Sequence, residues 1–256
     1  MKTTHKITTF FLLLLVSISC TKDEFITETT GDELLKKESL NFNFDEFGRA
    51  HNDYLKYVHA TGHKDARKRF EYGKTYTDPI FGSFDIGIDY NKLVNGMPNH
   101  LQKVESIING NYDAEIENVS PEMTSFLNEL ATLTHRSIQQ DITYQDFVEK
   151  LNNTKLRVKN TYPVLINLSS GKCNDGASML AIISILEYSI KYWSNFDGVD
   201  DTSLARAGIW QRIKRALADA WGYVSAWTNN GDGSYSWDHP SALVNADCHS
   251  DQVYEN

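Results

Sequence analysis

Apolar residues recur at helical spacing in several segments of the chain. One early segment places its large residues on a single helical face, together with one histidine: Phe44, Phe47, His51, Tyr54, Leu55 and Val58. Steps of three and four residues predict an amphipathic helix with that face in the core. Gly62 is expected to end the helix, because glycine adopts the left-handed backbone of a helix C-terminus at little cost.

Two stronger helical patterns lie farther along the chain. Large apolar residues follow the same steps from Met179 to Trp193 and again from Ile209 to Val224. The connection SNFDGVDDTS is short, so we expect these two helices to pack on each other. Arg206, Arg212 and Arg215 fall largely outside the second apolar stripe and are expected on its solvent side.

Shorter helices are predicted between these segments. A brief amphipathic pattern covers 101–108, and Ser120 followed by Pro121 is typical of a helix start. Thr143 is placed to cap a further helix, which is expected to end near 152–153.

The remaining segments show weaker patterns. Residues 73–96 sustain no apolar period and are interpreted as an irregular loop region. Residues 20–41 are polar and rich in acidic side chains, which predicts a flexible tether. Together the patterns predict the all-α fold class, with a single domain of five to seven helices over residues 42–256.

The first residues of the chain have the pattern of an export signal. Lys2 and Lys6 precede an apolar run from Ile7 to Val16, and small residues stand just before Cys20. The run is about half of the roughly 20 residues that a membrane-spanning helix needs. We therefore predict a signal peptide at residues 1–19.

The residues around Cys20 resemble the lipobox of bacterial lipoproteins, although Ser17 stands where that motif usually has leucine. Residues 21–24, Thr-Lys-Asp-Glu, resemble the export signal that follows the acylated cysteine in surface lipoproteins of the Bacteroidetes. Farther along, the LEYSIKYW stretch at 186–193 and the helix after it, which contains alanine and glycine, faintly resemble uncharacterised lipoproteins of that group, and this likeness implies no activity. The resemblance implies lipidation of Cys20 and attachment to the outer membrane, facing the cell surface. An ordinary secreted protein with a free cysteine near the cleavage point is the alternative.

Composition and charge narrow the choice of partners. The chain is 41% hydrophobic and 23% charged, as folded proteins are. Its formal net charge of -9 argues against a nucleic acid partner, because phosphate binding needs clustered basic residues. No lysine or arginine follows Arg215, and one earlier segment is basic. We interpret that segment as a solvated helix face: Lys64, Arg67, Lys68, Arg69 and Lys74.

Two cysteines remain after Cys20. Outside the cytoplasm Cys173 and Cys248 can pair, so a disulfide between them is a possible crosslink. Two unpaired buried thiols are the alternative.

Candidate metal ligands occur in two places. His51, His59 and His63 are spaced by eight and four residues, so a continuous helix would place them on one face. Gly62 and the lack of an HExxH glutamate count against a site there, and these histidines are weak candidates. The segment DCHSD at 247–251 also holds ligand types. No cofactor or metal is expected.

No catalytic motif is found in the sequence, so the catalytic residues are unknown. NNGDGS at 229–234 reads as a turn, LSSGKC at 168–173 lacks the first glycine of a phosphate loop, and GxSxG does not occur.

We expect a membrane-anchored binding or interaction protein for an unknown protein or glycan ligand. The alternative is an extracellular hydrolase of peptide or glycan, metal-assisted through the three histidines, with sugars stacking on Trp227, Tyr235 and Trp237.

Overall fold

Helices dominate the part of the chain that the computed structural model describes, which is 41–62, 65–82, 119–139, 141–168, 170–196, 205–255 and the single residues 102 and 106. Seven helices lie in these ranges: α1 (Asp45–Thr61), α2 (Ala66–Phe81), α3 (Pro121–Ile138), α4 (Tyr144–Thr161), α5 (Asp175–Phe196), α6 (Ala205–Val224) and α7 (His239–Glu255). The all-α fold class predicted from the sequence is therefore confirmed.

Several predicted helix boundaries are confirmed by their capping groups. Gly62 follows α1 with a φ of 62°, and its N–H donates to the carbonyl of Val58. The side chain of Ser120 accepts a hydrogen bond from the N–H of Met123 at 3.0 Å, which starts α3. Thr143 and Asp146 form a reciprocal capping box at the start of α4.

Two boundary predictions are wrong. Helix α2 occupies the start of the expected loop region at 73–96, because its buried face is built from residues with no clear apolar period, including Gly73 and Thr77. Helix α4 continues past 152–153 to Thr161, since Val158 extends its buried side. The predicted signal peptide, nearly all of the tether, residues 83–96 and most of the predicted helix at 101–108 lie outside the described residues.

Helix α5 lies at the centre of the core, and most of its side chains are buried. It packs on α1, α4 and α6, so the predicted pairing of α5 with α6 is confirmed. The prediction that the arginines of α6 face solvent is wrong for Arg212 and Arg215, because both are buried. The guanidinium of Arg215 lies 4.5 Å from the centre of the Trp193 ring. This cation–π contact offsets part of the free-energy cost of burying the arginine charge. The described residues belong to one compact unit, Leu35–Asn256.

A small antiparallel sheet accompanies the helices. Its strands β1 (Ile166–Asn167), β2 (Lys172–Asn174), β3 (Trp227–Asn229) and β4 (Ser234–Trp237) stand in the order β1-β2-β4-β3. The turn predicted at NNGDGS joins β3 to β4, with φ of 76° at Gly231 and 80° at Gly233. Strands of two to four residues are too short to show an alternating pattern, so the sheet was not predicted.

The aromatic residues of the β3–β4 hairpin pack on one another. The Trp227 ring stacks on Trp237 at a centroid distance of 5.4 Å and on Tyr235 at 4.9 Å. Tyr235 and Trp237 are buried. The ring faces are therefore largely occupied within the protein, which disfavours the sugar-stacking role considered from the sequence.

Helices α6 and α7 form the most extensive helix contact among the described elements, and a glycine permits their close approach. A Cβ atom on Gly222 would lie 2.7 Å from the carbonyl oxygen of Asn245 and 2.7 Å from the Cα of Ala246. Real Cβ atoms do not come this near to backbone atoms, so only glycine fits at 222 without moving α7.

Candidate functional site

Helix α7 carries most of the polar groups of the candidate site. The carboxylate of Asp238 accepts a hydrogen bond from the N–H of Ser241 at 3.1 Å and so caps the helix. Asp247, His249 and Ser250 are buried although they are polar. Sequence reasoning assigned no helix to this segment, but its start signal, Asp238 followed closely by Pro240, is visible in the sequence.

Asp247 and Asp251 on α7 meet His59 on α1. The Nε2 atom of His59 lies 3.6 Å from an Oδ1 oxygen of each carboxylate. The Asp247 side chain is 0% exposed, whereas His59 is 17% and Asp251 41% exposed. The cluster therefore runs from the protein interior to the surface, and one imidazole nitrogen lies between two carboxylates.

Arg69 on α2 neutralises part of this negative charge. Its NH1 donates to Oδ2 of Asp247 at 2.7 Å, and its NH2 lies 3.6 Å from Oδ2 of Asp251. NH1 also lies 3.6 Å from the sulfur of Cys248. Burial is the largest single influence on the Arg69 pKa and lowers it, but the nearby acidic groups, Asp247 foremost, together outweigh burial and raise the pKa. The prediction of a solvated face for the basic segment is wrong for Arg69, which is buried.

Tyr192 on α5 completes the surroundings of His59. Its hydroxyl lies 2.7 Å from Nδ1 of His59, and Trp193 packs against the same imidazole at a ring distance of 5.4 Å. Burial alone would lower the pKa of His59, but Asp247 and Asp251 outweigh burial and raise it to about 9. Burial raises the pKa of Asp247 despite the nearby His59 and Arg69. His59 is therefore protonated at neutral pH.

A second polar network lies deeper in the core. Oδ2 of Asp219 accepts hydrogen bonds from the hydroxyl of Ser189 and, at 2.7 Å, from Nε1 of Trp193. Oδ1 of Asp219 lies 3.5 Å from Nε2 of His51. The side chains of Asp219 and His51 are both 0% accessible to solvent. This network ties α1, α5 and α6 together and has a structural role.

A groove opens on the surface between α1 and α5. It has a volume of ≈ 610 Å³ and reaches His59 and Tyr192. The described residues that line it are Asn52, Lys56, His59, Ala60, Lys191, Tyr192 and Asn195. The imidazole of His59, which lies beside the two aspartates, is therefore accessible from the groove.

The candidate metal ligands named from the sequence lie in different groups in the structure. His51 and His59 share helix α1 but belong to different networks, and His63 lies outside the described residues. In the DCHSD segment, Asp247 and Asp251 converge on His59, whereas the sulfur of Cys248 faces Arg69. Both candidate sets of the sequence therefore contribute members to one cluster.

The possible disulfide is not formed in this structure. Cys173 on β2 is buried, Cys248 lies on α7, and both are free thiols. Burial raises the pKa of Cys248 to about 12, with Asp247 adding to the shift and Arg69 opposing it.

Sequence reasoning missed Arg69 and Tyr192 as parts of the cluster. The signal for Arg69 was the uneven charge: the chain after Arg215 holds aspartates but no lysine or arginine. Buried carboxylates there must receive their positive partners from an earlier segment, because an unpaired buried charge is costly. Tyr192 gave no comparable signal, since its place on α5 is that of an ordinary aromatic residue.

Comparison with protein-family models, with curated proteins and with solved structures found no match to this chain. Among the described helices none combines the length and the apolar character that crossing a bilayer requires.

Proposed function

We propose that this chain is an exported lipoprotein, anchored to the outer membrane through Cys20 and facing the cell surface, that binds an anionic ligand in the groove between α1 and α5. The short apolar run, the small residues before Cys20 and the Lys-Asp-Glu sequence after it support export and lipidation. The α1–α5 groove supports ligand binding.

The charge of the groove is the observation on which the proposal of an anionic ligand rests. In a chain of net charge -9, the described lining residues carry no carboxylate, and two of them are lysines: Lys56 and Lys191. A concave surface of one charge sign attracts ligands of the opposite sign. Its volume of ≈ 610 Å³ is within the range of small-molecule sites, so a small ligand or the acidic end of a glycan or peptide fits.

The lysines of the groove are available to an incoming anion. Lys56 pairs with Asp53 at 2.8 Å, but both side chains are more than half exposed, and such surface pairs contribute little. The ammonium group of Lys191 lies 4.9 Å from the centre of the Tyr188 ring. Neither contact prevents the lysine from donating hydrogen bonds to a ligand carboxylate or sulfate.

Lys191→Ala should weaken anion binding about tenfold, because it removes one charge-assisted hydrogen bond worth about 1.5 kcal/mol. The measurement is an NMR titration of the chain with glucuronate and with inorganic sulfate at low salt. The matched control is Lys159→Ala, which removes an exposed lysine on α4 away from the groove. Equal affinities for both variants, or no binding of either anion by the unaltered chain, would refute the anion groove.

Cys20→Ala should abolish membrane attachment in bacterial cells expressing the full chain. The reason is that acyl chains supply about 0.8 kcal/mol per buried methylene, and the substitution leaves nothing to acylate. Labelling with palmitate and fractionation of membranes measure the effect. Cys248→Ser is the control and should label normally. A Cys20→Ala chain that still incorporates palmitate and sediments with membranes would contradict the proposed anchor.

The alternative function, an extracellular hydrolase acting on peptide or glycan, gains support from the convergence of His59, Asp247 and Asp251. Imidazole and carboxylate groups hold the metal in many metal-assisted hydrolases. The three histidines considered from the sequence do not supply this set, since His51 pairs with Asp219. This alternative requires a bound metal ion at the cluster.

A further inference from the structure

Three ligand atoms of the cluster converge on one point. Nε2 of His59 and one carboxylate oxygen each from Asp247 and Asp251 all lie within 4.8 Å of one another. The two distances from Nε2 to the Oδ1 oxygens are both 3.6 Å. Ligands at about 2.1 Å from a tetrahedral zinc ion are about 3.4 Å apart, so small side-chain adjustments bring the three atoms to bonding distance of one ion.

A buried oxygen points to a missing partner. Asp247 is fully buried, and among the described residues no donor lies within hydrogen-bond distance of its Oδ1 atom, since Nε2 of His59 is 3.6 Å away. Leaving a buried carboxylate oxygen without a donor costs stability, and such groups usually have a partner such as an ion or a water molecule. This oxygen is the one that faces Nε2 of His59, so the partner belongs between them.

The surrounding side chains orient the three ligand atoms. Arg69 approaches the Oδ2 oxygen of each aspartate, which leaves both Oδ1 atoms directed toward His59. The Tyr192 hydroxyl lies 2.7 Å from Nδ1 of His59 and can accept its proton in a hydrogen bond. Nδ1–H then fixes the tautomer in which Nε2 carries the lone pair, as outer-shell partners of metal-binding histidines do.

We propose that His59, Asp247 and Asp251 bind a divalent transition metal ion, for which Zn²⁺ is the best match. A set of one imidazole and two carboxylates suits zinc, whereas Ca²⁺ and Mg²⁺ prefer oxygen ligands alone. Cys248 is not a ligand, because its sulfur faces Arg69. The proposal does not depend on anion binding by the groove.

Three protein ligands leave a fourth position open, which is typical of zinc sites that bind water or substrate. Of the three proposed ligands, His59 also lines the groove, which opens to solvent.

The test is titration of the metal-stripped full chain with ZnCl₂ by isothermal calorimetry, with metal analysis of the dialysed product. We expect one zinc ion per chain, an increase in Tm on binding, and much weaker binding of Ca²⁺. A chain that binds no zinc would overturn the proposal and would leave the cluster as an ion pair of protonated His59 with two aspartates.

Variants locate the bound ion. Asp251→Asn should lower zinc affinity about 100-fold or more, and because Asp251 is 41% exposed the variant should fold. His59→Ala should have at least the same effect. Tyr192→Phe removes only the outer hydrogen bond and should weaken zinc about tenfold. Circular dichroism establishes that each variant is folded.

Two controls separate this site from other zinc ligands. Asp53→Asn removes an exposed carboxylate from the same helix as His59, and Cys248→Ser removes the adjacent thiol; both variants should bind zinc as the unaltered chain does. Unchanged binding in both Asp251→Asn and His59→Ala would place the zinc elsewhere and overturn the assignment. Lost binding in Cys248→Ser would overturn the three-residue ligand set. Glucuronate titrations of the same variants report on the groove separately.

Discussion

Gly222→Ala should destabilise the fold by about 3 kcal/mol, the upper end of what overpacking usually costs. The new methyl group would lie 2.7 Å from the carbonyl oxygen of Asn245 and the Cα of Ala246. Both are backbone atoms inside α7, so no side-chain rotation relieves the clash. Helices α6 and α7 would have to separate along their whole contact. Urea denaturation of the purified chain measures the change in the free energy of unfolding.

Gly208→Ala is the matched control on the same helix. Among the described residues, apart from the backbone of the helix itself, no atom lies within 4 Å of a Cβ placed there, so the alanine meets no clash. Because glycine weakens a helix relative to alanine, this variant should be about 0.5 to 1 kcal/mol more stable than the unaltered chain. Similar free energies of unfolding for the two variants would show that α6 and α7 do not approach as closely as the structure has them.

Lowering the pH from 7.5 to 5 should remove about 2 kcal/mol of stability through His239 alone. Burial lowers the pKa of His239 to about 3 in the folded protein. Its ring stacks on Phe81 at 4.1 Å, and its Nδ1 lies 2.7 Å from the hydroxyl of Tyr223. In the unfolded chain a histidine has a pKa of about 6.5. The stabilisation is therefore complete above pH 6.5 and is lost as the pH falls toward 3.

Urea denaturation at pH 7.5 and pH 5, with His239→Gln for comparison, isolates this effect. Glutamine keeps a polar partner for Tyr223 but does not titrate, so the variant should lose about 2 kcal/mol less than the unaltered chain between the two pH values. Identical pH dependence in the two proteins would contradict a neutral buried His239.

The neighbouring Asp238 provides a control of opposite sign. Burial raises its pKa to about 6, although its hydrogen bonds from Ser241 oppose the shift. A carboxyl group with a raised folded pKa adds stability as the pH falls from 6 toward 4. Asp238→Asn removes this compensation, so it should steepen the acid loss that His239→Gln reduces.

The part of the fold that the sequence predicted is the part built from large apolar residues. Helices α1, α5 and α6 show their buried faces as stripes of such residues, and Ser120 and Thr143 mark helix starts by their capping chemistry. Helix α2 was missed because its inner side includes Gly73 and Thr77, which carry no apolar signal.

Helix α7 was missed for a different reason. Its apolar residues stand consecutively in the segment SALVNA, and its buried face continues into the polar segment DCHSD. An amphipathic pattern is visible only where the buried positions hold apolar residues. A helix whose inner face carries aspartate and histidine therefore does not show one. Only the capping signal at Asp238 remained.

The candidate site was predictable in its parts but not as an assembly. His59 and the DCHSD segment were both recognised as holding ligand types, yet spacing relates residues within one helix only. Their meeting depends on how α1, α2 and α7 pack. Charge was the one long-range signal, since Asp247 needed a cation that its own segment lacks and Arg69 supplies it.

Arg69 and Asp247 are separated by 178 positions, which has a consequence for the order of events during synthesis. Helices α1 and α2 leave the ribosome long before α7 exists, and until then the surface of α2 that packs on α7 has no partner. Contacts of such large sequence separation form slowly. Until these contacts form, the exposed apolar surfaces favour aggregation. The proposed export would benefit from this delay, because a polypeptide that has not yet closed its core can still be threaded across a membrane.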